Sequence, residues 1–194
     1  MDELKARIEK SIFESVNVLK DCTNLIPDIS KAISVITSCL KNGNKVLVFG
    51  NGGSAADAQH IAAELIGRFQ RERKSLPAIA LTTDSSILTA ISNDYSFDQV
   101  FKRQCESLVS QGDVVIGIST SGNSVNVIKG LEAAKKRGAV TIGLLGSNGG
   151  ATKSIVDISL IVNSSSTPRI QEAHRLIYHI ICDNVERALS GDEA

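Results

Sequence analysis

The chain has 194 residues, 42% hydrophobic and 22% charged, enough for one well-buried domain and too few for two ordinary ones with a linker. Its 21 Lys and Arg balance 21 Asp and Glu, and aromatics reach only 4% with no Trp, which excludes a basic nucleic-acid surface or a base-stacking platform. No apolar stretch approaches the ~20 residues of a membrane span, the N-terminus is unlike a signal peptide, and Cys22, Cys39, Cys105 and Cys182 form no CxxC pair, so a cytoplasmic protein with reduced, buried thiols is expected.

Two helices are expected first, over about residues 2–20 and 27–41, with Pro27 near the start of the second and Asn42-Gly43-Asn44 stopping it. Lys45–Phe49 reads as a strand running into Gly50-Asn51-Gly52-Gly53-Ser54 and an Ala-rich helix to about Phe69. Ala78–Leu81 is a second strand. Asp113–Ile118 is a third, entering Ser119–Ser124 and a helix to about Arg137. Val140–Leu145 is a fourth strand, Ile155–Val162 contains a fifth, and a long helix from about Pro168 to Leu189 closes the pattern. Nearly all-apolar strands alternating with helices describe a single α/β domain, a five-stranded parallel sheet flanked by helices. The helical pair of residues 1–42 precedes the α/β core of 43–194; it either covers the sheet or packs subunits together.

Ligands of such sheets bind beyond the carboxyl ends of the strands, where the two small-residue loops fall. Gly50–Ala55 formally fits the G-x-G-x-x-G/A of dinucleotide sites, but Asp84, the nearest acidic candidate for a ribose, comes late for that role. The second loop places four hydroxyls in six residues at the start of a helix, whose unpaired N–H groups and dipole favour an anion. Its simpler reading is a Ser-rich turn with Ser124 as an N-cap. A phosphorylated sugar suits both loops better than a dinucleotide, with phosphate on the hydroxyl loop and sugar against the glycine loop.

The helix after the first loop carries Asp57, His60 and Glu64 on one stripe, and the i, i+4 pair His60 and Glu64 has the spacing of two metal ligands. The last helix carries Gln171, His174 and His179 off its apolar stripe, with His174 a competing candidate. All three histidines lie on these two helices. The plainer alternative pairs Glu64 with Arg68 at i+4 and leaves His179 facing solvent.

Val48–His60 (VFGNGGSAADAQH), Gly117–Ser124 (GISTSGNS) and Arg169–His174 (RIQEAH) together resemble the sugar isomerase (SIS) fold family, over essentially the whole chain. Within it the sequence is most similar to isomerases of a seven-carbon sugar phosphate. The resemblance implies an aldose–ketose isomerase converting sedoheptulose 7-phosphate to D-glycero-D-manno-heptose 7-phosphate through an enediol, in bacterial heptose synthesis for lipopolysaccharide. It implies that Asn51, Gly52 and Gly53 line the sugar, that Asn93 and Asp94 join them, and that Ser119, Thr120, Ser121 and Ser124 hold the phosphate. It further implies one zinc ion per subunit held by His60, Glu64, Gln171 and His179, of which Glu64 and Gln171 also meet substrate. Glu64 and His179 would be the catalytic proton-transfer pair, in a homotetramer. Pro168 stands where some members carry Asp, so no role for that Asp carries over. A catalytically silent branch, tetrameric adaptors of the replication initiator, is similar over residues 68–84 but lacks the carboxylate and histidine at Glu64 and His179; an adaptor needs neither.

Overall fold

The computed structural model describes residues 2–190. Five strands, β1 (Val46–Gly50), β2 (Ala78–Ala80), β3 (Val114–Ser119), β4 (Val140–Gly146) and β5 (Ile158–Val162), pair in parallel in the order β2-β1-β3-β4-β5. Every residue of β1 and β3 is buried, as in parallel strands covered on both faces. The chain leaves β1 toward one edge and later returns to build toward the other, so the topological switch lies between β1 and β3. The glycine loop follows β1 and the hydroxyl loop follows β3, which puts the two side by side at the switch.

Helices α1 (Asp2–Asp21), α2 (Ile26–Lys41), α3 (Gly53–Ile66), α4 (Ser85–Asp94), α5 (Val100–Leu108), α6 (Val125–Lys136) and α7 (Thr167–Leu189) surround the sheet. Apolar faces of α2, α3 and α7 pack with Val46, Val48, Ile116 and Leu144 in one core. Those of α5 and α6, with Leu88 and Ile91 of α4, pack against Leu47, Phe49 and Val115 on the opposite face. All four cysteines are buried and free, and burial pushes the Cys105 and Cys182 thiols up to about 12. Among the described residues, no helix is long and apolar enough to cross a membrane.

The N-terminal pair divides in its role. Helix α2 is part of the main core, burying Ile29, Ala32, Ile36, Cys39 and Leu40. Helix α1 buries no residue and leaves Leu4, Ile8, Ile12 and Phe13 between 53% and 66% exposed. Of the two expected roles, covering the sheet falls to α2, while α1 leaves its apolar stripe uncovered. Helix α3 ends at Ile66, short of Phe69, for a definite reason. The backbone N–H groups of Phe69, Gln70 and Arg71 donate to the Glu186 carboxylate on α7 at 2.7–2.8 Å, and this competes with continuing the helix. Arg73 forms a buried ion pair with the same carboxylate at 3.2 Å. Burial alone would raise the Glu186 carboxyl, but these donors outweigh it and hold it below its usual value.

Candidate active site

At the glycine loop, Gly52 adopts φ +56°, a left-handed conformation that disfavours side chains. Gly53 lies close against the Gln171 amide of α7, and a Cβ there would displace that side chain. Asn51 and Asn126 exchange reciprocal amide hydrogen bonds of 2.9 Å, which tie the glycine loop to the first turn of α6. The side chain expected to line the sugar is thus engaged with the neighbouring loop. Asn126 is 4% exposed and also accepts from Val127 N–H at 2.9 Å. Sequence reasoning passed over it, although a polar residue opening an apolar helix was a usable signal.

In the hydroxyl loop, buried Ser119 accepts from Gly122 N–H at 3.1 Å, and its Oγ lies 3.1 Å from that of Ser124 and 3.5 Å from that of Ser121. Ser124 occupies the N-cap position of α6 yet makes no side-chain cap bond. Its hydroxyl turns into the loop instead. Thr120 is half-buried and Ser121 exposed, so the loop offers a cluster of hydroxyls at a helix N-terminus. Asp84 has a structural task, accepting from Ile87 N–H at 2.9 Å as the N-cap of α4. Asn93 and Asp94 hydrogen-bond each other at the exposed end of α4, on the sheet face opposite α3 and α7.

Helices α3 and α7 lie side by side in the same direction, with Gly53 against Gln171, His60 against Tyr178 and Phe69 against Glu186. This packing joins His179 to the pair expected from spacing. His60 Nε2 lies 2.7 Å from Glu64 Oε1, and one ligand atom each from His60, Glu64 and His179 fall within 4.8 Å of one another. The rings of His60 and His179 are 5.1 Å apart, and Phe69 covers His179 at 5.4 Å. His179 Nε2 is buried without a hydrogen-bond partner, an uncommon state for a polar atom. Burial first, and the nearby His60 next, hold His179 below its usual pKa. Two imidazoles and a carboxylate with one orphaned nitrogen form a donor set that fits zinc.

Gln171 does not join the trio within one chain. It precedes His179 by eight residues, roughly 12 Å along the helix axis, and sits at the start of α3. His174 is no competitor: it is fully buried, and its Nε2–H donates to Leu145 C=O at 3.0 Å. Arg68 pairs with Glu72 at 3.7 Å rather than with Glu64.

A parallel sheet switched between β1 and β3, with glycine and hydroxyl loops at that switch, defines an α/β fold whose ligand site lies beyond the carboxyl ends of its strands. The family model described as SIS domain matches residues 13–146. The phosphoheptose isomerase of Citrifermentans bemidjiense is 57% identical over 187 residues, 96% of each chain. Solved phosphoheptose isomerases superpose closely. That of Neisseria gonorrhoeae is 44% identical with a TM-score of 0.90, covering 94% of this chain and 98% of its own. That of Francisella tularensis is 39% identical with a TM-score of 0.92, covering 96% and 100%. The chain belongs to the SIS domain family, in its phosphoheptose isomerase branch.

Proposed function

We propose that the protein interconverts sedoheptulose 7-phosphate and D-glycero-D-manno-heptose 7-phosphate, supplying heptose for lipopolysaccharide. The convergence of His60, Glu64 and His179 carries this reading, since a non-catalytic adaptor needs no such trio. Full-length similarity to isomerases that bear this activity in their names supports it.

The reaction moves a proton from C1 of the ketose to C2 through an enediol, while a hydroxyl proton passes from O1 to O2. A carboxylate and an imidazole can divide these transfers, and Glu64 and His179 would supply both. Phe69, whose backbone N–H is held by Glu186, packs beside the His179 ring. Ser119, Thr120, Ser121 and Ser124, with the N-terminus of α6, would hold the phosphate. Gly52 and Gly53 let the backbone approach the sugar, with Asn93 and Asp94 contributing from α4. His60, Glu64 and His179 would hold a zinc ion. When bound, it would supply Lewis-acid stabilisation of negative charge on the sugar oxygens. The apolar stripe of α1 supports a homotetramer with α1 in its contacts, and the reading places the enzyme in the cytoplasm.

Turnover of sedoheptulose 7-phosphate, followed by NMR, tests the reading. Glu64→Gln keeps size and removes the base, so kcat should fall by roughly 10²–10⁴ with sugar-phosphate binding retained. Wild-type turnover in that variant, or none in the native protein, would overturn it.

A further inference from the structure

We infer that Tyr178 is a positioning residue whose hydroxyl, held by Asp57 and Arg175, fixes the proton of neutral His60 on Nδ1 and leaves Nε2 as a lone pair facing Glu64 and His179. The inference rests on the proposed metal site for its consequence, though not for its geometry.

The argument is one of donors and acceptors. A tyrosine hydroxyl has one proton to give and two lone pairs to receive. The Tyr178 hydroxyl has three polar neighbours: Arg175 Nε at 3.1 Å, Asp57 Oδ1 at 3.3 Å and His60 Nδ1 at 3.0 Å. Arg175 can only donate. The Asp57 carboxylate, 3% exposed and also met by Arg175 Nη2 at 3.3 Å, can only accept. Giving the single hydroxyl proton to Asp57 is the arrangement that satisfies all three neighbours at once. Both lone pairs then face donors, Arg175 Nε–H on one side and His60 Nδ1–H on the other.

With Nδ1 protonated, neutral His60 presents an Nε2 lone pair 2.7 Å from Glu64 Oε1, which is itself an acceptor. Left to Glu64 alone, the imidazole would take the other tautomer and donate to the carboxylate. The Tyr178 network opposes that choice. It holds two acceptors face to face, beside the unpartnered Nε2 of His179, and this arrangement is resolved by a cation. Tyr178 would thus set the tautomer of a metal ligand, a task performed elsewhere by carboxylates and carbonyls behind ligating histidines.

Two measurements test this. Long-range 1H–15N correlation on the metal-free protein, at a pH where His60 is neutral, should place the proton on Nδ1. Tyr178→Phe should shift it toward Nε2, as should Asp57→Asn, which frees the hydroxyl proton to turn toward His60. Zinc titration against a competing chelator should give roughly 10–100-fold weaker binding for Tyr178→Phe. A native His60 protonated on Nε2, or unchanged zinc affinity in folded Tyr178→Phe, would overturn the inference. If the variants do not fold, the native tautomer decides alone. A native protein with the Nδ1–H tautomer but no zinc affinity would defeat the metal reading and leave the role of Tyr178 intact.

Discussion

His174 should dominate a specific part of the acid sensitivity of this fold. It is fully buried, its Nε2–H is committed to Leu145 C=O, and its Nδ1 has no partner. Burial, the largest influence, pushes it from 6.5 down to about 4. Between those values the unfolded chain binds one proton more than the folded one, so stability falls as pH drops and is fully present only above about 6.5. The slope is about 1.4 kcal/mol per pH unit, giving about 3 kcal/mol across the window. His174→Gln retains a donor for the carbonyl but cannot titrate. Urea unfolding from pH 8 to 4.5 should show the variant about 1–3 kcal/mol less stable at pH 8, with a visibly flatter decline below pH 6.5. The difference between the two curves removes the shared contributions of other carboxyls and histidines. Parallel curves would refute the reasoning. Unchanged zinc affinity at pH 8 is also expected, because His174 faces the core rather than the trio.

Ser121→Ala should raise KM roughly 10-fold or more, since a hydrogen bond to a charged group contributes about 1.5–3 kcal/mol, while kcat changes less; steady-state kinetics with a loss confined to kcat would contradict the phosphate assignment. Deleting residues 2–21 should leave the melting transition largely intact but reduce the sedimentation coefficient of the assembly, and a native protein already monomeric at micromolar concentration would remove α1 as an interface. Ile36→Ala should behave differently, costing about 2–5 kcal/mol in denaturant unfolding because Ile36 is 1% exposed in the core.

The parallel sheet was legible because uniformly apolar strands alternating with helices admit few other arrangements. The loops were legible because glycines and hydroxyls follow strands directly. His60 and Glu64 could be paired from spacing within one helix. His179 could not be placed beside them from spacing, since its position depends on α7 lying along α3. The angular separation of Gln171 and His179 on a helical wheel likewise hides their two-turn axial distance. Helices α1 and α2 both carry apolar stripes, and only tertiary packing decides which is covered: Ile36 of α2 is core while Ile12 of α1 stays exposed. The end of α3 is set by Glu186, more than a hundred residues away, which no local signal announces.

The side-by-side docking of α3 and α7 also has a consequence for biogenesis. His60 and His179 are 119 positions apart in the chain, and the contact between their helices closes the whole sheet between them. During synthesis, chains emerge N-terminus first and non-local contacts come late. His60 and Glu64 can form their pair as soon as α3 coils, but the third member is absent until the last helix has been made and seated. Any ligand that must engage both histidines therefore discriminates finished molecules from partly folded ones. It adds its stabilisation only to the finished ones, about 2.7 kcal/mol at a hundredfold excess over its Kd.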